Sequence, residues 1–323
     1  MGSFIRSIEY YLPENFLDNN KLSDEFPEWE ADKILEKVGI RNRHIASKNE
    51  TALNLALNAS EKALKNFSRD KVDFILLCTQ SPDYYLPSSA CILQDMLGLR
   101  KDIGAFDFNL GCSGFVYGLA LAKSLINTRL ASNVLLVTAE TYSKHIHPSD
   151  KSNRSIFGDG AAATIISSSP HESIHEFELG TDGSGKDNLI VKNRGMRHVE
   201  NENEDLVENY LFMNGPEIFN FTLDIVPDLV KDVLLKNNMS IGQIDFFIFH
   251  QANKFMLEYL RKKLKIDPAK FYINMLETGN TVSSTIPIAL KDCLDNRLIR
   301  SGDNVMLVGF GVGYSWGATI ITI

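Results

Sequence analysis

Ile103-Gly104-Ala105-Phe106-Asp107-Phe108-Asn109-Leu110-Gly111-Cys112-Ser113-Gly114-Phe115 is the stretch on which the fold turns. Its first part reads as an apolar β-segment, residues 103–108. A tight Gly-Cys-Ser-Gly turn follows, then a long helical pattern over 112–130. No charge stands between Asp107 and Lys123. A helix that is apolar all round is buried. Cys112 therefore falls where a strand stops and a buried helix begins. The first turn of a helix carries unsatisfied N–H groups and about +0.5 of an elementary charge. A thiol placed there is expected to ionise readily and to act as a nucleophile. Gly111 and Gly114 let backbone and substrate approach closely. A small core cysteine would read the same way from this stretch alone.

Working outward, residues 72–78 form a continuous apolar run, which reads as a buried strand. Residues 90–97 read as a helix, 133–139 as a strand and 161–167 as another. Upstream, 4–11 reads as a strand and 52–66 as a helix. Residues 29–38 read as a helix ended by Gly39 at its C-cap. The same order then recurs. Residues 244–250 echo 72–78, 304–308 echo 133–137, and 317–321 echo 162–166. Three matching strands in one order predict a duplicated α/β unit. The boundary is expected in 167–173, giving halves 1–170 and 171–323. His250 then takes the place of Cys78. Asn280 follows a strand at 271–273 and precedes a helix at 283–296, which is the place of Cys112. Two halves packed back to back would bring Cys112, His250 and Asn280 together at strand ends, where open α/β sheets place their sites.

The composition bounds the class. The chain has 323 residues, 44% hydrophobic and 23% charged, as in a globular protein. A net charge of −8 argues against a general nucleic-acid or anionic-membrane surface. No apolar run reaches the roughly 20 residues of a membrane span. Cys78, Cys91, Cys112 and Cys293 show no CxxC spacing, so neither a disulfide framework nor a zinc site is indicated. A cytoplasmic enzyme is the expectation.

Other segments carry less chemistry. The polar insert 181–210, with an acidic cluster at 200–205, reads as an irregular excursion or lid. Residues 216–237 read as an amphipathic helix that Pro227 should kink. Gly309, Gly311 and Gly313 do not make a dinucleotide loop, because Tyr314 stands where the third glycine is needed. His145 and His147 lack further ligands, and no metal is expected. Asp159 reads as a turn-fixing residue.

These residues resemble the β-ketoacyl-ACP synthase III family of the thiolase superfamily. The resemblance rests on Gly39-Ile40-Arg41-Asn42-Arg43-His44-Ile45-Ala46, Gly111-Cys112-Ser113-Gly114-Phe115 and Phe157-Gly158-Asp159-Gly160-Ala161. It continues through His250-Gln251-Ala252-Asn253, Gly279-Asn280-Thr281 and Gly311-Val312-Gly313-Tyr314-Ser315-Trp316-Gly317. It implies a thiolase-like α/β fold with duplicated βαβαβαββ halves in a layered αβαβα sandwich. It implies that Cys112 takes an acyl group from a thioester, with the N–H groups of Cys112 and Val312 as oxyanion hole. His250 and Asn280 would hold the carbonyl oxygen of a malonyl-type thioester as CO₂ leaves, giving a β-ketoacyl product. No cofactor is implied beyond acyl-CoA or acyl-carrier-protein substrates. A homodimer is implied, with 105–109 near the two-fold axis and Leu86 reaching the partner's acyl tunnel.

The substrate-binding positions that the resemblance assigns are Lys33, Lys37, Lys151, Asn253 and Leu86. Several depart from the family pattern. Lys33 stands where the family has an adenine-stacking Trp, with Trp29 one turn earlier. Lys37, Val38 and Phe255 replace a family Arg, Thr and Arg. Leu86 replaces a frequent Phe, and Val312 a usual Gly. Lys254, Arg261 and Lys265 share a helix face that Lys262 and Lys263 widen, a patch suited to an acidic carrier protein. Decarboxylative condensation is the first reading. Acyl transfer to a hydroxyl or amine, and a non-catalytic partner subunit, are the alternatives.

Overall fold

A computed structural model describes residues 2–196 and 207–323. The acidic cluster at 200–205 lies outside the described residues. The first segment runs β1 (Gly2–Tyr11), β2 (Phe16–Asp18), α1 (Asn19–Glu25), α2 (Ala31–Val38), β3 (Asn42–His44), α3 (Ala52–Leu64), β4 (Phe74–Cys78) and α4 (Ser89–Met96). It continues with β5 (Gly104–Phe108), α5 (Gly114–Asn127), β6 (Asn133–Glu140), α6 (Lys151–Arg154) and β7 (Gly160–Ser169). The second runs β8 (Ile174–Thr181), β9 (Leu189–Ile190), β10 (Phe212–Met213), α7 (Gly215–Lys236), β11 (Phe246–Phe249), α8 (Lys254–Lys263), α9 (Thr285–Asp295), β12 (Asn304–Gly311) and β13 (Ser315–Thr322).

Two sheets repeat one plan. The first has the order β1-β7-β6-β4-β5 and the second β8-β13-β12-β11. In each, the pair β4/β6 or β11/β12 is parallel, as is β4/β5 in the first sheet, and β6/β7 and β1/β7 or β12/β13 and β8/β13 are antiparallel. Side chains alternate across each strand. Leu76, Val134, Leu136, Phe246, Ile248, Val305 and Leu307 turn inward onto α5 and α9, which lie between the sheets. Ile75, Leu77, Leu135 and Val137 turn outward onto α3 and α4. Phe247, Phe249, Met306 and Val308 turn outward onto α7 and α8. The layers are therefore helix, sheet, helix, sheet, helix, and the middle helices serve both sheets. This is why α5 carries apolar residues on every side.

Three expectations are corrected. Residues 271–273 make no strand, only a parallel bridge from Phe271 to Phe247. The Gln251 amide takes the backbone instead, donating to Tyr272 O at 3.3 Å and accepting from Asn274 N at 2.9 Å. The central helix starts at Gly114, not Cys112, with Ser113 as N-cap. The insert is not wholly irregular, since β9 and β10 pair across it. Helix α7 runs on through Pro227. A proline withholds the N–H that would bond the carbonyl four residues back. Lys263 supplies it, donating from Nζ to Leu223 O at 2.7 Å.

Candidate active site

Cys112 sits inside the turn after β5, where Gly111 O accepts from Gly114 N at 2.8 Å. Gly311, at the end of β12, packs directly on it. A Cβ on Gly311 would stand 2.9 Å from Cys112 Cβ and 3.0 Å from Sγ. Only glycine fits at that distance. His250 leaves β11 with its N–H on Val308 O at 2.8 Å. Asn280 is held by the other half of the chain: its N–H bonds Ile156 O at 2.9 Å and its O accepts from Gly158 N at 3.0 Å. These anchors bring Cys112, His250 and Asn280 to one cavity of about 140 Å³, which Asn253, Phe157, Leu189, Ile218, Met256 and Phe310 also line. All three side chains are buried.

The side chains are oriented by specific bonds. Asn280 Oδ1 accepts from Val282 N at 2.9 Å, which leaves the amide nitrogen as the free donor, in long contact with Ala252 O at 3.5 Å. His250 Nδ1 lies 2.7 Å from Thr285 Oγ1. Burial pushes the His250 pKa down to about 3, so the imidazole is neutral.

Cys112 departs from expectation in its resting state. Burial drives its thiol pKa well up, and the nearby Glu140 adds to this. The helix terminus does not by itself leave a thiolate, because desolvation of the anion outweighs it. A proton acceptor is therefore needed.

Sequence reasoning missed Glu140, Gln80, Tyr142, Val282 and Thr285. Glu140 is fully buried, and its carboxyl oxygens accept from Gln80 N at 3.1 Å, Ser81 Oγ at 3.0 Å and Ser283 Oγ at 3.0 Å. Desolvation still pushes its pKa up to about 8. The signal was present: the one acid of β6 ends a strand that is apolar from Val134 to Val137. Tyr142 packs in the same apolar cluster as Cys112 and Val312, and its hydroxyl donates to Gln80 Oε1 at 2.8 Å. Asp159 is a tie between loops, accepting from Ala46 N at 2.8 Å and Ser143 N at 2.9 Å.

The outlying residues are placed as follows. Lys33 is exposed and pairs with Glu30 at 2.5 Å. Lys37 is exposed on α2. Lys151 pairs with Glu28 at 2.5 Å and sits 5.3 Å over the Trp29 ring. Asn253 both lines the cavity and caps α8, accepting from Met256 N at 2.9 Å. Leu86 is 83% exposed at a loop tip with Tyr84 and Tyr85, away from the cavity. Lys254, Lys262 and Lys265 are exposed on or beside α8, but Arg261 is drawn onto Glu258 at 2.8 Å and Ile266 O at 3.0 Å. Phe255 is 62% exposed and stacks on Phe219. Among the described residues, no His, Cys, Asp and Glu side chains gather as a metal site, and no helix is long and apolar enough to cross a membrane.

Residues 106–183 match the family model of 3-oxoacyl-[acyl-carrier-protein (ACP)] synthase III, and 234–323 match the model of its C-terminal part. The chain is 39% identical over 316 residues to the β-ketoacyl-[acyl-carrier-protein] synthase III of Clostridium perfringens, covering 97% of each chain. A crystal structure of a 3-oxoacyl-(acyl-carrier-protein) synthase III superposes with a TM-score of 0.98 at 46% identity, covering 100% of both chains. The Burkholderia xenovorans 3-oxoacyl-(acyl-carrier protein) synthase gives a TM-score of 0.94 at 34% identity, covering 100% of this chain and 94% of that one. The duplicated, five-layered fold is thiolase-like, and the chain belongs to the β-ketoacyl-[acyl-carrier-protein] synthase III family.

Proposed function

We propose that this chain condenses an acyl thioester with malonyl-acyl-carrier protein through an acyl-Cys112 intermediate. The observation that carries the reading is the single cavity onto which Cys112, His250 and Asn280 all open. Cys112 attacks the first thioester. Its N–H and that of Val312 stabilise the tetrahedral oxyanion, a contribution worth about 10²–10³ in rate per donor. The malonyl thioester then enters, and His250 and Asn280 bond its carbonyl oxygen. Loss of CO₂ leaves an enolate on that oxygen, and the carbanion attacks the acyl-enzyme. The chain's own residues supply every role, with no cofactor.

The setting follows from the same chemistry. A nucleophile that must stay a thiol suits the reducing cytoplasm. Strand β5 lies at a sheet edge with Phe106 partly exposed, and a homodimer would cover that edge. Leu86 would then reach across to the partner. Lys254, Lys262 and Lys265 offer positive charge to an acidic carrier protein.

The test has two readouts. Incubation with acyl thioesters should add the acyl mass to the intact chain, and Cys112→Ala should remove that shift. Addition of malonyl-acyl-carrier protein should release CO₂ and form the β-ketoacyl product. Acyl transfer to a hydroxyl or amine without CO₂ would overturn the reading.

A further inference from the structure

Thr285 makes two contacts that decide which nitrogen of His250 carries a hydrogen. Its hydroxyl donates to Val282 O at 3.1 Å, and the same oxygen lies 2.7 Å from His250 Nδ1. A hydroxyl has one proton to donate and lone pairs to accept with. With its proton on Val282 O, Thr285 accepts from His250, and Nδ1 carries the ring hydrogen. The reverse arrangement would give up the bond to Val282 O and leave the two oxygens 3.1 Å apart with no hydrogen between them in a buried site. Nε2 therefore holds a lone pair in a residue that lines the Cys112 cavity.

We infer that Thr285 is a positioning residue that fixes His250 as the Nδ1–H tautomer, so that Nε2 handles every proton in both half-reactions. The inference rests on the proposed condensation. In acylation, the Cys112 thiol gives its proton to Nε2 as sulfur attacks the thioester. The carbon–sulfur bond to the carrier breaks, and the departing thiolate takes that proton from Nε2. In condensation, Nε2 takes up one proton from bulk solvent, matched in charge by the malonyl carboxylate. It keeps that proton and donates a hydrogen bond from it to the carbonyl oxygen as CO₂ leaves. The carbanion forms the new carbon–carbon bond and expels Cys112 thiolate, which recovers the proton from Nε2. One solvent proton is consumed per turnover, as replacing a carboxylate by neutral CO₂ and a neutral thiol requires. Nδ1 never changes state.

The same geometry explains how a high-pKa thiol is activated: the acceptor is an unprotonated nitrogen held in place, not a pre-formed thiolate.

Thr285→Val keeps the branched shape and removes only the hydroxyl. Val282 O keeps the backbone N–H of residue 285 as a partner. In single-turnover acylation by acetyl-CoA and by acetyl-acyl-carrier protein, Thr285→Val should be slower by about 10²-fold. Thr285→Ser restores the hydroxyl and should recover most of the rate. Nitrogen NMR of the full chain labelled at histidine should show a protonated Nδ1 and a bare Nε2 on His250 in the parent, and a mixture of tautomers in Thr285→Val. A protonated Nε2 in the resting parent overturns the inference. So does a folded Thr285→Val that acylates at the parent rate. If Thr285→Val does not fold, the parent's nitrogen shifts and the Ser variant decide the matter. A parent chain that no acyl thioester labels overturns the condensation reading, while the nitrogen shifts still decide the tautomer.

Discussion

The N–H of Val282 donates to Asn280 Oδ1 at 2.9 Å, from a residue held at φ 55°. Such a conformation is unusual for a β-branched side chain and needs its surroundings to hold it. The carbonyl of the same residue accepts from Thr285, the neighbour of His250. One strained residue thus aims both donors of the proposed condensation.

From this follows the behaviour of Asn280 variants. Asn280→Asp keeps the oxygen that Val282 bonds but replaces the amide donor with an acceptor. Acylation of Cys112 should persist, while condensation should fall by about 10²–10³. Rapid-quench measurement of each half-reaction separates the two. Equal losses in both would remove the assigned role.

Gly311 is the second test. An added methyl would sit 3.0 Å from Cys112 Sγ. Cys112 is fixed by the turn before α5 and cannot retreat without moving the helix. Gly311→Ala should therefore block acylation more than it lowers stability. The pair of measurements is acyl mass gain and thermal melting. Full labelling at the parent rate would show that the site yields more than the packing implies.

Much of this was legible in the sequence. The recurrence of three strand patterns gave the two sheets, and the charge-free run from Phe108 to Ala122 gave the buried middle helix. The Cys and His positions followed from the duplication, while Asn280 was placed by a strand at 271–273 that does not form. Other features were hidden. Residues 271–273 look like a strand, but Gln251 captures their backbone, and a side-chain amide leaves no periodic trace. The resting thiol was misjudged because helix position is readable locally, while desolvation depends on everything packed around it. Thr285 and Val282 carry no motif of their own; their role appears only when three hydrogen bonds are seen together.

Glu140 predicts a pH dependence of stability. Burial raises its pKa to about 8, so the folded chain holds a proton that an unfolded carboxyl, near 4.3, releases at about neutral pH. A folded state that binds more protons loses stability as pH rises. Asp159, raised to about 6, acts in the same sense but only up to that pH. His250, lowered to about 3, acts oppositely, and only up to its ordinary value of about 6.5. Between about pH 6.5 and 8, Glu140 alone of these three still titrates. The parent Tm should fall across that window, and Glu140→Gln should flatten the slope. A parent Tm that rises there would show that Glu140 is already ionised in the fold.

The last prediction concerns the donor of the first acyl group. A base gains about 1–3 kcal/mol from stacking on an aromatic side chain in nucleic-acid sites. Lys33, where the family has an indole, is exposed and paired with Glu30. Trp29 stands one turn away but has Lys151 5.3 Å over its ring, and Lys151 is itself engaged by Glu28. Phe255, where the family has a phosphate-binding arginine, stacks instead on Phe219 with ring centroids 5.6 Å apart. A phenyl ring offers phosphate no charge-assisted bond. At the positions where the resemblance would place coenzyme A, its adenine would lose the indole and its phosphates the arginine. Lys254, Lys262 and Lys265 remain exposed for an acidic carrier, although Arg261 is withdrawn onto Glu258. Acyl-carrier protein should therefore outcompete coenzyme A as donor of the same acyl chain. The measurement is kcat/KM for Cys112 acylation from each carrier, repeated with Phe255→Arg, which should raise the coenzyme A value selectively. Equal use of both donors by the parent, unchanged in the variant, would overturn the preference for the carrier protein.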